Sequence, residues 1–297
     1  MTADCAKHLE AFADVLKPNE PLAPYTHLRL GGPAEILALP RTQEELANLV
    51  KVCHTHQIPV RILGSGSNVL VRDEGVKGVV IRLSQPAFTQ VTVDHKRVHA
   101  GSGTSLSAVI STAARHGLAG LETHIGIPGT VGESVRSQAS DPSESITPFV
   151  RRVEVIDSEG NLHVREREGT QFGDPATNLE DGIVVNVVLE LEPDLPDTIV
   201  KRMRKAWIKR KSTQPYSYQA TCQAFKNPRG MNAATLIEQA QLAGAKVGGA
   251  QLSERDSNYI VAHAGATARD VMRLLDLVRT QVQERFQIEL EPELTAW

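Results

Sequence analysis

Apolar residues along the chain alternate between helical and strand-like spacing, which predicts a mixed α/β protein. Leu9, Phe12, Ala13 and Leu16 predict an amphipathic helix at the start, ending near Lys17-Pro18. Thr42 followed by Glu45 has capping-box spacing, and Leu46, Leu49, Val50 and Cys53 give the apolar face of the helix it opens. Strands are predicted over 35–39, 58–63, 69–71 and 79–83, and a hairpin pairs 91–93 with 98–100. Leu106, Val109, Ile110 and Ala113 mark another helix. Strands over 153–156, 162–164 and 183–191 complete an antiparallel sheet, and Pro193 to Pro196 reads as a linker. Beyond it come a basic helix over 198–211, helices over 231–243 and 267–285, and a strand over 259–261. Three regions are expected: lobes over 1–84 and 85–195, and a C-terminal lobe over 196–297.

Composition narrows the function classes. Acids (35) slightly outnumber Lys and Arg (32), so no basic surplus exists to hold a nucleic acid. Cys5, Cys53 and Cys222 are too scattered for a disulfide framework or a zinc site and suit a reducing compartment. No apolar run approaches the ~18–20 residues of a membrane span. The N-terminus lacks a signal-like apolar core, so a cytoplasmic place is expected. The basic helix reads as a solvated face with Trp207 and Ile208 in the core, rather than as a nucleic-acid surface. The histidines show no ligand spacing, and no metal site is expected.

Two glycine-rich turns carry candidate chemistry. Gly64-Ser65-Gly66-Ser67-Asn68 follows a strand. Glycines let main-chain N–H groups gather around an anion, so this segment is either a pyrophosphate nest or a plain turn, the commoner case. It is neither a dinucleotide GxGxxG nor a P-loop. Ile127-Pro128-Gly129-Thr130-Val131-Gly132 is the second turn, at a helix start. Together the two can clasp one extended dinucleotide. Glu289, Glu291 and Glu293 share one side if their segment is extended.

In order and spacing these residues resemble the UDP-N-acetylenolpyruvoylglucosamine reductase (MurB) family. The resemblance runs from about Thr26 to Glu293. It is carried by Thr26-His27-Leu28-Arg29-Leu30-Gly31-Gly32-Pro33-Ala34, by the two glycine turns, and by Thr213-Gln214-Pro215. It continues through Phe225-Lys226-Asn227-Pro228, Gly248-Gly249-Ala250, Ser253-Glu254 with Asn258, and Leu290-Glu291-Pro292-Glu293. The resemblance implies an α+β fold: a two-lobed FAD-binding region of the vanillyl-alcohol-oxidase type, then an α+β substrate lobe. It implies FAD as cofactor, NADPH as reductant and a UDP-sugar substrate; a monomer is expected. Cofactor binding then falls on residues 64–68 and 127–132, and substrate binding on Lys226, Asn227 and Asn258.

The carry-over is uneven at the catalytic positions. Glu293 stands at the family's catalytic Glu. Gln223 stands where the family has its proton-donating Ser, and Pro175 where it has its Arg. An amide is a poor proton donor and proline supplies no charge. Losing one preorganised catalytic donor commonly costs about 10²–10³ in rate. Thr221, Cys222 or water can be asked to donate the proton instead, and Arg136, Arg229 or Lys226 to supply charge. Cys222 is otherwise a small buried hydrophobe. After the second turn the chain reads Gly132-Glu133-Ser134-Val135 and then Gln138-Ala139-Ser140, where the family continues with glycine and Asn-Ala-Gly. Glu133 thus brings a carboxylate beside the expected flavin phosphate, which is tolerable only if it faces away. Three readings remain: the family reaction with substituted groups, a flavin- or nucleotide-binding homologue without reductase activity, and a flavin enzyme with another substrate.

Overall fold

The computed structural model describes residues 7–136, 145–169, 182–214 and 220–297. They fall into two units. One comprises Met1–Glu20, Glu35–Ser65 and Lys77–Ile208, the other Pro21–Ala34, Gly66–Val76 and Lys209–Trp297.

In the first unit, Thr42 Oγ1 accepts the Glu45 N–H at 3.1 Å and starts the helix Gln43–Thr55. Its predicted face of Leu46, Leu49, Val50 and Cys53 is buried. The Glu45 carboxylate reaches back one residue further than a capping box requires, to the Arg41 N–H at 2.6 Å. A four-stranded sheet has the order Leu16–Pro21, Pro33–Ala38, Val76–Ile81, Val60–Ile62, and its last two strands are parallel. A five-stranded sheet has the order Leu162–Glu166, Val150–Asp157, Gly182–Glu190, Arg97–Gly101, Val91–Asp94. Neighbouring strands in it run antiparallel, and the helix Leu106–Arg115 adds Leu106, Val109, Ile110 and Ala113 to the same core.

Two expectations are corrected here. The N-terminal segment is a short 3₁₀ helix, Glu10–Val15, followed by the strand Leu16–Pro21. Three residues per turn put Leu9, Phe12 and Val15 on one buried face, whereas Ala13 is exposed. The second correction concerns the basic helix, which spans Pro196–Thr213. Its first half packs inward through Ile199 and Met203, with Arg202 bonded to Glu122 and Asp194 at 2.6 Å each. Trp207 and Ile208 are 47% and 63% exposed, so they are not core residues.

The second unit is built on an antiparallel sheet of order Thr221–Gln223, Tyr259–Ala262, Ala250–Leu252, Lys246–Val247. Phe225, Leu252, Ile260, Leu236 and Leu274 share its core with the helices Ala233–Gln239 and Ala268–Phe286. The long helix starts with a full capping box between Thr267 and Asp270. The Asp73 carboxylate also accepts the N–H groups of Ala268 at 2.9 Å and Arg269 at 3.2 Å, so two acidic groups serve one set of helix-end donors. Thr295–Ala296 pairs in parallel with Val69–Leu70 and holds the chain's end in this unit.

Candidate functional site

The first glycine turn emerges from the strand Val60–Ile62, and its Gly64 and Ser65 belong to the first unit. The second turn is seated beside 102–106 by main-chain bonds. Val131 N–H donates to Thr104 O at 2.9 Å, Gly132 N–H to Ser102 O at 2.9 Å, and Leu106 N–H to Gly129 O at 3.0 Å. Gly129 has φ 151°, which favours glycine there. Ile127 packs against the core and Pro128 is exposed.

The two turns meet at one atom. Glu133 Oε2 accepts the Ser65 N–H at 3.0 Å and the Thr130 N–H at 2.8 Å. Glu133 N–H in turn donates to Thr130 Oγ1 at 3.3 Å. The Glu133 carboxyl also fills the space beside Gly64, where a Cβ would land on it. The side chain therefore faces into the turns, not away from them. Near the second turn, Ser102 Oγ and Thr104 Oγ1 are buried with no hydrogen-bond partner. Buried hydroxyls are normally paired, so both mark a place that suits a polar ligand.

The other half of the first turn lies in the second unit. Gly66 has φ 71°, and a Cβ there would run into the Tyr25 carbonyl. Asn68 Nδ2 donates to Glu293 Oε1 at 3.0 Å, while Asn68 O accepts Thr295 N–H at 2.8 Å. The register that brings Glu293 here is antiparallel. Phe225 bridges Pro292, Lys226 N–H donates to Glu291 O, and Glu293 N–H donates to Ala224 O, both at 2.9 Å. Pro292, with no N–H, sits at the position of that pairing which donates nothing. The same register puts Lys226 in an ion pair with Glu291.

Asn258 fixes this segment. Its Oδ1 accepts Phe225 N–H at 3.0 Å, its Nδ2 donates to Phe225 O at 2.8 Å, and its main-chain O accepts Ala224 N–H at 2.8 Å. Gln223 Nε2 also donates to Phe225 O, at 3.2 Å. Asn227 Oδ1 accepts Ala233 N–H at 3.0 Å at a helix start. Cys222 is in the core, and burial pushes its thiol well above the ordinary range. A thiol so placed holds its proton and is no donor in water-accessible chemistry. Arg136 is bonded to Gly182 O at 3.0 Å, and Arg229 is exposed. Pro175, Pro215 and Gln138-Ala139-Ser140 lie outside the described residues.

Sequence reasoning misses three groups. The pairing of Thr130 with Glu133 has capping-box spacing and is open to detection. The tie from Asn68 to Glu293 spans 225 positions, and no local pattern announces it. The hydroxyls of Ser102 and Thr104 give no signal, because Ser and Thr beside glycines suit any turn.

Among the described residues no group of three or more His, Cys, Asp or Glu is placed to hold a metal, and no helix is long and apolar enough to cross a membrane.

Comparison with known proteins gives consistent matches. Residues 34–165 match the model of an FAD binding domain, and residues 214–297 that of the UDP-N-acetylenolpyruvoylglucosamine reductase C-terminal domain. The chain is 40% identical over 280 residues to the UDP-N-acetylenolpyruvoylglucosamine reductase of Moorella thermoacetica, covering 94% of this chain and 92% of that one. It is 40% identical over 284 residues to reductase 2 of Symbiobacterium thermophilum, covering 95% and 92%. The crystal structure of the MurB reductase from Thermus caldophilus superposes with a TM-score of 0.79 at 38% identity, over 95% of this chain and 98% of that one. A glucose dehydrogenase, wild-type Phl p 4.0202, has a TM-score of 0.50 at 17% identity, over 65% of this chain and 44% of its own, and shares the fold alone. The mixed α+β architecture expected from the sequence is thereby shown, with its FAD-binding domain followed by the reductase C-terminal domain.

The residues of the first unit fit the diphosphate of FAD in kind. Main-chain N–H groups from two turns converge on one anionic oxygen, and two buried hydroxyls nearby lack partners. The anion they hold in this structure is the Glu133 carboxylate.

Proposed function

Because this chain belongs to the UDP-N-acetylenolpyruvoylglucosamine reductase family, we propose that it reduces UDP-N-acetylglucosamine enolpyruvate to UDP-N-acetylmuramate, a peptidoglycan precursor, with FAD as cofactor and NADPH as reductant. In this reading it works as a cytoplasmic monomer. Residues 1–84 and 85–195 form the cofactor lobes, and 196–297 form the lobe that takes the UDP-sugar.

The chemistry that bound FAD supplies is hydride carriage from NADPH to the enolpyruvyl double bond. The chain's residues do the rest. Main-chain N–H groups of the turns 64–68 and 127–132 bind the cofactor. Glu293, its Oε1 held by the Asn68 amide, would orient the substrate at the double bond that is reduced. Lys226, Asn227 and Asn258 shape the substrate side: Asn258 fixes the Phe225 main chain, and Lys226 is paired with Glu291. Gln223 offers an N–H for orientation but no transferable proton, so the proton that completes the reduction comes from water. The observation that carries this reading is the register that sets Glu293 opposite Ala224, next to Gln223, within the unit matched to the reductase domain.

The test is turnover by FAD-saturated protein. Adding the enolpyruvyl sugar nucleotide is expected to reoxidise NADPH-reduced flavin. Gln223→Ser is expected to raise kcat by about tenfold or more, since a hydroxyl then stands where an amide did. Flavin that NADPH bleaches and the sugar nucleotide leaves bleached would overturn the reading. It would favour the second one, a flavin-binding homologue without reductase activity. The observation on that side is Gln223 itself, its amide turned onto Phe225 O.

A further inference from the structure

The contacts of Glu133 bear on how this chain meets its cofactor, an inference that rests on reading the first unit as an FAD-binding domain. The Thr130 and Glu133 pair alone is a capping box, two neighbouring groups that satisfy each other's N–H. A capping box accounts for the Thr130 N–H. It does not account for the Ser65 N–H, which comes from a turn 68 positions earlier and lands on the same oxygen. Nor does it account for the carboxyl group lying in the space that Gly64 leaves beside its Cα. Donors, space and charge at this point are all taken by one side chain.

We propose that Glu133 is an internal occupant of the flavin diphosphate site, so that FAD enters only when this side chain swings out, and the resting chain binds FAD weakly. An N–H donates strongly to one acceptor at a time, so the Ser65 and Thr130 groups serve either Glu133 or a phosphate oxygen. Like charges repel, so a carboxylate left in place opposes the diphosphate as well as blocking it. The occupant is tethered, so it competes at a high effective concentration. Glu133 is attached at Cα only, and rotation of its side chain reopens the site with the main chain in place.

The test is FAD and riboflavin titration of the purified full chain, followed by quenching of flavin fluorescence, for the wild type, Glu133→Ala and Glu133→Gln. Riboflavin lacks phosphate and reports on the ring alone. Glu133→Ala is expected to bind FAD about tenfold more tightly or better, with riboflavin unchanged. Glu133→Gln keeps the length and an acceptor oxygen but not the charge, and is expected to fall between. Circular dichroism checks that each variant is folded. If Glu133→Ala is not, Glu133→Gln decides, by the same gain for FAD and none for riboflavin. Equal FAD affinity in wild type and variants overturns the proposal while the FAD-binding reading stands. An equal gain for both ligands overturns it too. Absence of FAD binding in every folded variant ends both.

Discussion

The two polar centres of this chain differ in stiffness. In the first unit, two turns aim main-chain N–H groups at one point, and a rotatable side-chain end meets them there. In the second, main chain is held by main chain. Ala224, Phe225 and Lys226 lie in register with Glu293, Pro292 and Glu291, and the buried Asn258 side chain grips Phe225 by both its N–H and its carbonyl. A centre closed by a side chain can be opened by a change of rotamer. A centre closed by main chain changes only at the expense of the fold. The first centre therefore turns on one side chain, Glu133, whereas in the second Gln223 is carried on a frame of paired main chain.

The stiff centre gives the largest predicted effect. Asn258→Ala leaves the buried Phe225 N–H without its acceptor and removes one of two donors to Phe225 O. A loss of about 2–4 kcal/mol in urea denaturation is expected. A loss below about 1 kcal/mol would mean that the clamp is not what holds this segment.

The first glycine turn allows a sharper comparison, since it contributes to both units. At Gly66, φ is 71° and an added Cβ meets the Tyr25 main chain, which cannot yield. At Gly64 the atoms nearest an added Cβ all belong to the Glu133 side chain. Gly66→Ala is expected to cost about 2–3 kcal/mol and Gly64→Ala about 1 kcal/mol or less, read from thermal unfolding of the two variants side by side. Similar costs would erase the distinction between a turn closed by main chain and one closed by a side chain.

Legibility from the sequence divides along the same line. The helices Gln43–Thr55, Leu106–Arg115 and Ala268–Phe286 are readable because apolar spacing and a capping residue agree in each. The N-terminal segment misleads because Ala13 and Leu16 complete a plausible α-helical face, while the chain adopts the three-residue spacing to Val15. Trp207 and Ile208 mislead because their helix packs by its first half only. Both glycine turns stand out by residue type. What closes the first on the second does not, since the tie from Ser65 to Glu133 is fixed by the packing of segments far apart in sequence.

The smallest effect opposes the two units in sign. In the first, the hydrogen bond from His163 at 2.6 Å, then the N–H groups of Asn161 and Glu159, hold the Asp157 carboxyl well below the usual range. A depressed carboxyl adds stability that is present above its unfolded value, about pH 4, and is lost as pH falls through the folded value. In the second unit, burial is the main force raising the Asp256 carboxyl, with Glu238 adding to it and the Asn258 N–H opposing it. A raised carboxyl adds stability that is present below about pH 4 and is lost as pH rises through the folded value. Unfolding midpoints across a pH series separate the two. Asp157→Asn is expected to be at a disadvantage to the wild type at neutral pH that shrinks in acid. Asp256→Asn, which retains an acceptor for the Asn258 N–H, is expected to gain on the wild type as pH rises from about 4 towards 7. If both variants drift the same way with pH, one of the two environments has been assigned the wrong balance of burial and hydrogen bonding.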